Sequence, residues 1–370
     1  MCARCGRCHT FCVWEERASR LRREITQLAA AGLGVSELHS AAIKLVERTI
    51  STEMTCWASI DPETQVISSM VSGANRIPAE YEPRLAEAEY SLEEPHTFAA
   101  LARRGDTLAR LSDLPGEDRW RSTRLHDIWE PLGIDEELRV MFRAGGVCWG
   151  GAGMVRSGVD FTARELEFLA AIEPAIGSAT RLAMRSEAQG GTGPGRPALV
   201  LIGADGQLVG VTPDAREWQE RLDAIAPGRF QVMMQIMASG SHSAETGYFR
   251  ARLRDADGRW AVLQASTLIG GEEDQVAVSI EPVTGDQLIG LLLLAYDLSA
   301  REREICREVI GGHSTAEISH HLFISAHTVQ DHLKSVFAKV GVRSRGELVA
   351  RLRPENSDAH MDEVGRFARL

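Results

Sequence analysis

The chain has 370 residues, 44% hydrophobic and 25% charged, with a formal net charge of −11 and a pI near 5.6. That length predicts more than one hydrophobic core, and that charge excludes a surface that is basic all over, so any contact with a polyanion must be local. Only three lysines, Lys44, Lys334 and Lys339, stand against 38 arginines, which removes a Walker-type phosphate loop and a Schiff-base mechanism from residues 45–333 for want of an amine.

The first segment, MCARCGRCHTFC, spaces Cys2, Cys5, Cys8 and Cys12 as C-x2-C-x2-C-x3-C, the spacing with which bacterial ferredoxins hold iron–sulfur clusters. One reading is a redox sensor holding a cluster or zinc there. The other is a translated GC-rich leader, with the true start at Val13, because no proline follows Cys12 and no second cluster motif exists. Residues 1–15 are therefore set apart as a Cys-rich leader, and no cofactor or metal is expected. Cys56, Cys148 and Cys306 fall in apolar patterns, which predicts buried reduced thiols.

Two helical patterns follow, Trp14 to Ala31 and Val35 to Ile50, with Leu21, Ile25 and Leu28 spaced for one face. Alternating or β-branched runs at 54–60, 65–71, 107–111, 137–143 and 147–156 predict an antiparallel α+β unit. A long helix to about Met184 closes it, opened by Thr162 and Glu165 as a capping box and interrupted by Pro174. The helices at 14–31 and 162–184 pair either between subunits or within one chain. Glycine, proline and polar residues at 186–197 predict a flexible linker.

Beyond it, two apolar runs flank Asp205-Gly206 and two more flank Asp257-Gly258, predicting two hairpins. In the second, Phe249, Ala251 and Leu253 alternate with Arg250, Arg252 and Arg254, predicting one buried and one wet face. A fifth strand at 275–280 completes a small antiparallel sheet. The longest apolar run, LIGLLLLAY from Leu288, is short of the ~20 residues of a membrane helix. Without a signal-peptide pattern either, a cytoplasmic protein with no membrane contact is expected.

From Leu298 the sequence LSAREREICREVIGGHSTAEISHHLFISAHTVQDHLKSVFAKVGVRSRGELVARL predicts four short helices. Gly311-Gly312 ends the first, Ser314 with Glu317 opens the second, and Ser325 caps the third. In the third, Val329, Leu333, Val336, Phe337 and Val340 form one apolar stripe. His327, Asp331 and Lys334 point away from it, flanked by Gln330 and Ser335. A short helix, a three-residue turn and a second helix with a polar outer face is helix-turn-helix geometry, whose second helix lies in the major groove. Residues 298–352 carry eight basic and six acidic side chains, a net of +2 against −13 for the rest, and from His332 to Arg353 six basic residues face one acidic, Glu347. The charge is segregated toward the half that would follow phosphates.

These residues resemble the LuxR-type (GerE-like) helix-turn-helix family over about 55 residues, through LSARE, AEIS, ISAHTVQDHL and KVGVRSRGEL. The resemblance implies base-edge contacts at Gln330, Asp331 and Lys334 and phosphate contacts near Ser325, Thr328 and Lys339. Family members often carry a basic residue around 330 or 331, where this chain has Gln-Asp. Residues 16–185 are similar to the GAF-like sensory domain that precedes this module in some actinobacterial regulators, and 198–285 to a degenerate PAS-type fold. Such domains bind small molecules in apolar pockets. Trp57, Trp129, Trp149 and Cys148 are candidate pocket walls, or core fillers; His126 is a candidate haem or metal ligand, or a structural histidine. Neither region shows paired carboxylates, a Ser-His-Asp set or His-rich metal spacing, so an enzyme is not expected.

The expectation is thus an α+β multidomain chain: a GAF-like antiparallel sheet with helices at 16–185, a PAS-like small antiparallel sheet at 198–285, an all-α helix-turn-helix module at 296–353, and a tail at 354–370. Its partners would be double-stranded DNA, a second copy of itself and a small-molecule ligand. A protein-interaction scaffold is the reading without DNA.

Overall fold

The computed structural model describes residues 6–91, 93–189, 196–224, 228–255, 258–270, 275–283 and 285–353, with side chains from Trp14 onward. Cys2 and Cys5 lie outside the described residues, as do the side chains of Cys8 and Cys12, and so do 190–195 of the linker and the tail from 354.

Helices α1 (Gly6–Ala29) and α2 (Val35–Val46) lead into the first sheet, built from β1 (Met54–Ile60), β2 (Ile67–Ser72), β3 (Leu108–Arg110), β4 (Glu136–Ala144) and β5 (Val147–Arg156). Helices α3 (Glu82–Tyr90), α4 (Phe98–Arg104) and α5 (Gly116–Arg121) lie in the connections between β2 and β4, and α6 (Ala163–Gln189) follows β5. The sheet is antiparallel in the order β2-β1-β5-β4-β3. Thr162 and Glu165 form the capping box of α6, with the Thr162 amide donating to Glu165 Oε2 at 2.7 Å and the Glu165 amide to Thr162 Oγ1 at 3.4 Å. Leu21 and Ile25 of α1, Ile43 of α2, Trp57 and Phe142 of the sheet and Phe168, Ile172 and Ile176 of α6 share one buried cluster, so the two long helices pack within this chain. A Cβ on Gly177 would come within 2.3 Å of the Arg143 carbonyl oxygen; α6 crosses β4 too closely for any side chain there.

The second sheet repeats the strand order. It contains β6 (Ala198–Ile202), β7 (Leu208–Val211), β8 (Tyr248–Arg254), β9 (Trp260–Thr267) and β10 (Val276–Pro282), arranged β7-β6-β10-β9-β8. Helices α7 (Pro213–Asp223) and α8 (Arg229–Ser243) cover one face, where Trp218, Phe230, Met233 and Met237 meet Val200, Ala251, Leu253, Leu263 and Val278.

Two readings need correction. The face of β8 predicted to be wet is buried over its second half: Arg252 and Arg254 are 3% and 2% exposed. The alternation is real, but the arginine face meets other protein. Arg252 grips Asp61 of the first unit through Nε at 2.5 Å and Nη2 at 2.7 Å, reaches Glu63 at 2.6 Å and donates to the Gln287 carbonyl at 2.7 Å, while Arg254 pairs with Glu187 of α6. Second, α6 runs to Gln189, four residues into the stretch read as linker. Ala188 there is buried, Glu187 Oε1 accepts from the Val35 amide at 2.9 Å, and Gln189 Nε2 donates to the Tyr296 hydroxyl at 2.6 Å. Tertiary partners hold the last turn where local composition favours coil.

The apolar run from Leu288 is a helix, α9 (Gly285–Ala295), with Leu288, Leu291, Leu292 and Leu293 buried. Apolar nearly all round, it is a core helix. It lies in a cluster that joins Met184 and Ala188 of α6, Trp149 of β5, Trp260 and Val262 of β9, and the interior of four further helices: α10 (Ala300–Ile310), α11 (Thr315–His321), α12 (Ala326–Val340) and α13 (Arg345–Leu352). No helix among the described residues is long and apolar enough to cross a membrane.

Candidate nucleic-acid interface

Each of the last four helices begins on a serine whose side chain accepts an amide three residues on: Ser299 from Glu302, Ser314 from Glu317, Ser325 from Thr328 and Ser344 from Glu347. At Ser299 and Ser314 the glutamate returns the bond, closing a capping box. The box at Ser299 went unread in the sequence, although Ser-x-x-Glu stands there as it does at 314–317.

Between α11 and α12 the chain turns through Leu322-Phe323-Ile324 with Phe323 in the left-handed region at φ 53°. Arg301 of α10 braces this turn, its Nη2 donating to the Leu322 carbonyl at 2.6 Å. Val329, Leu333, Val336 and Val340 bury one stripe of α12. On the other side Gln330, Asp331 and Lys334 are exposed. Asp331 sits between two basic side chains, with Lys334 Nζ 3.0 Å and His327 Nε2 3.4 Å from its oxygens. The hydrogen bond from Lys334 holds its carboxyl below the usual range. The Asp331 carboxylate is thereby paired with Lys334 on the exposed side of the helix.

Ser325 caps α12 and also bonds the Thr328 hydroxyl at 2.8 Å, so both stand at the amino end of the helix, where amides and dipole favour phosphate. Lys339 is placed differently. Its side chain is 38% exposed against 74% for Lys334, and Nζ lies 2.7 Å from Glu302 Oε2 and 3.3 Å from the Asp297 carbonyl. Ser335 adds a bond to Glu302 at 2.6 Å. Burial works to raise the Glu302 pKa, but the bonds from Lys339, Ser335 and Ser299 outweigh it and hold the carboxyl at about 2. Sequence reading missed Glu302 because its role depends on a partner 37 residues away.

The candidate pocket walls do not converge. Trp57, Trp129, Trp149 and Cys148 are all buried, each in a different cluster. Trp149 Nε1 donates to the Ala144 carbonyl at 3.2 Å, and Cys148 Sγ to the Gly150 carbonyl at 3.3 Å. His126 is half-buried, its Nδ1 3.0 Å from Glu130 Oε2.

A four-helix core with a braced turn and a polar helix face defines a helix-turn-helix DNA-binding module. Residues 297–352 match the family model for bacterial regulatory proteins of the luxR family. The Mycobacterium tuberculosis protein described as probable transcriptional regulatory protein NarL is 30% identical over 157 residues, covering 40% of this chain and 67% of the relative. Spore germination protein GerE of Bacillus subtilis is 38% identical over 55 residues, 15% of this chain and 74% of the relative. The chain belongs to the LuxR family of bacterial regulatory proteins. Among solved structures, the phycoerythrobilin-bound GAF domain of a cyanobacterial phytochrome aligns with 46% of this chain and 96% of its own at 14% identity, with a TM-score of 0.31. The Vibrio cholera VqmA–ligand–DNA complex aligns with 43% and 80% at 14% identity, with a TM-score of 0.21.

Proposed function

We propose that this LuxR-family regulator is a cytoplasmic homodimer that reads duplex DNA by laying α12 in the major groove. Residues 296–353 are the reader, 16–189 and 198–285 are GAF-like and PAS-like sensory units joined through 190–197, and a small molecule sets their state. Residues 1–15 and 354–370 flank these parts. The observation that carries the reading is the division of α12 into a buried stripe, Val329, Leu333, Val336 and Val340, and an unpacked face bearing Gln330, Asp331 and Lys334. Side chains of these types reach base edges from a groove-bound helix. Ser325 and Thr328 would contact phosphate. Lys339, held by Glu302, serves chiefly to seat α12 on α10, a change from the phosphate role that family resemblance implies.

The test is binding to duplexes from the DNA upstream of the coding region against random duplexes of equal length, over a salt series, with sedimentation of the bound and free protein. The reading predicts a site preferred by about 1,000-fold or more over random DNA, bound by two chains. Equal affinity for all duplexes, or none, would favour the protein-interaction scaffold.

A further inference from the structure

Away from the face of α12, three potential metal donors of different elements converge. Glu308 lies on α10, His313 in the turn and His321 at the end of α11. His313 Nδ1 is 2.9 Å and His321 Nδ1 2.7 Å from the same oxygen, Glu308 Oε2. The two rings meet edge to face with centroids 4.8 Å apart at 82°, and one donor atom from each of the three residues falls within a 4.8 Å set.

The scaffold beneath them is fixed by bonds that do not involve the donors' side chains. Val309 and Ile318 anchor α10 and α11 in the core. Gly312 turns the chain at φ 87°. The His313 amide donates to the Glu308 carbonyl at 3.1 Å, the His313 carbonyl accepts from Arg345 Nη1 at 3.1 Å, and the Ser314–Glu317 box starts α11 immediately after. Donors carried on a braced turn and two helix ends keep their geometry when one partner is exchanged for another.

We propose that Glu308, His313 and His321 form a binding site for a divalent transition-metal ion, with zinc as the ion that fits best. Two imidazoles and a carboxylate are a three-residue zinc set that leaves a fourth position to water. Zinc–nitrogen bonds of about 2.0–2.1 Å impose donor separations near 3.3 Å. The contacts at 2.9 and 2.7 Å would therefore open by about half an ångström, and the third pair would close by at most about 1.5 Å from the 4.8 Å limit. Rotation of the Glu308 side chain opens the first two, and rotation of the His321 ring, 43% exposed at the end of α11, closes the His313–His321 pair. The ion would replace the hydrogen bond between His321 Nδ1 and Glu308 and supply a partner for His313 Nδ1, which is buried without a hydrogen bond, so that both Nδ1 atoms become ligands. It ties α10 to α11 directly. The pattern Glu-x4-His-x7-His is present at 308–321, but it is recognisable as a site only once the turn folds the two helices together. The proposal stands apart from the DNA-reading role, since its test measures the metal.

The test uses the full chain with Cys2, Cys5, Cys8 and Cys12 changed to serine, so that leader thiols do not compete, carrying no polyhistidine tag and stripped of metal. Titration with zinc chloride by calorimetry and equilibrium dialysis should give one ion per chain. His313→Ala and His321→Ala should each weaken uptake by at least about tenfold, Glu308→Gln should weaken it as well, and His320→Ala should leave it unchanged. Should a variant lose its circular dichroism, cobalt(II) in the unsubstituted triad provides the independent measurement: four-coordinate ligand-field bands support the site. No stoichiometric uptake at about 0.1 mM zinc, uptake that survives loss of both histidines, or a cobalt spectrum identical to the aqua ion would overturn it, leaving a surface ion-pair cluster.

Discussion

Lys339 Nζ lies 2.7 Å from Glu302 Oε2, joining the end of α12 to the first turn of α10. Glu302 is nearly enclosed, so this contact fixes the pitch of α12 from inside the module and leaves the outer face to other residues.

The pair makes the module acid-sensitive over a defined range. Because the folded Glu302 pKa is depressed from 4.5 to about 2, its contribution is fully present above pH 4.5 and is lost as pH falls toward 2. Lys339→Met should cost about 2 kcal/mol at pH 7, the worth of a charge-assisted bond, and should flatten this part of the pH profile. Chemical denaturation from pH 7 to 2.5, followed by far-ultraviolet circular dichroism, reads both effects. An unchanged profile would mean that Ser299 and Ser335 hold Glu302 unaided.

A second acid-sensitive group sits in the first unit at higher pH. His39 is buried between Trp57 and Phe142, its Nε2 3.0 Å from Thr180 Oγ1. Burial, followed by the charge of Arg254, lowers its pKa from 6.5 to about 3. The folded state keeps this ring neutral, so stability falls as pH drops from 6.5 toward 3, where the unfolded chain takes up a proton that the folded chain refuses. His39→Gln should remove that slope at some cost at neutral pH. The check is melting temperature against pH for the two proteins; parallel curves would refute the assignment.

Arg252 and Asp61 are expected to be coupled across 191 residues of sequence. Arg252→Met leaves Asp61, which is 0% exposed, without its cation, and should destabilise the chain by about 3–5 kcal/mol. Asp61→Asn combined with Arg252→Met should recover part of that loss, because no buried charge then lacks a partner. Urea unfolding of the four members of this cycle gives the interaction energy. Strict additivity would show that the two side chains do not depend on each other.

On the outer face of α12, Asp331→Ala should relax preference at one base pair of each half-site by roughly tenfold, since cytosine N4 is the donor that the groove offers a carboxylate. Lys334→Ala should weaken specific sites more than random DNA. Selection on randomised duplexes separates the outcomes, and tighter binding to every sequence with an unchanged profile would mean that Asp331 touches no base.

The reader module was legible because its information is local. Ser314 and Ser325 announce helix starts, Gly311-Gly312 a stop, and a 3.6-residue stripe on α12 identifies the inner face. The sheets were legible for the same reason, through alternation and the Asp205-Gly206 turn, while Asp257 of the second turn lies outside the described residues. What escaped depends on distant partners. Arg252 and Arg254 read as solvent-facing because nothing nearby shows that Asp61, Glu63 and Glu187 will cover them. Lys339 read as a phosphate contact, with no local sign of its pairing with Glu302 on another helix. Trp57, Trp129 and Trp149 read either as pocket walls or as core fillers, since an apolar pattern does not tell which residues share a neighbourhood, and each lies in a different core cluster.

The leucines of α9 bear on how such a reader is transplanted. Leu288, Leu291 and Leu292 are fully enclosed in the same apolar mass as Ile305, Val309, Leu348 and Leu352, and Arg353 reaches back to Asp286 at the start of that helix. A graft cut at Leu298 would carry an open hydrophobic flank into its new host, with precipitation as the expected result. The portable piece begins at Gly285, and it would still need a cover for the side that α6 and β9 now shield.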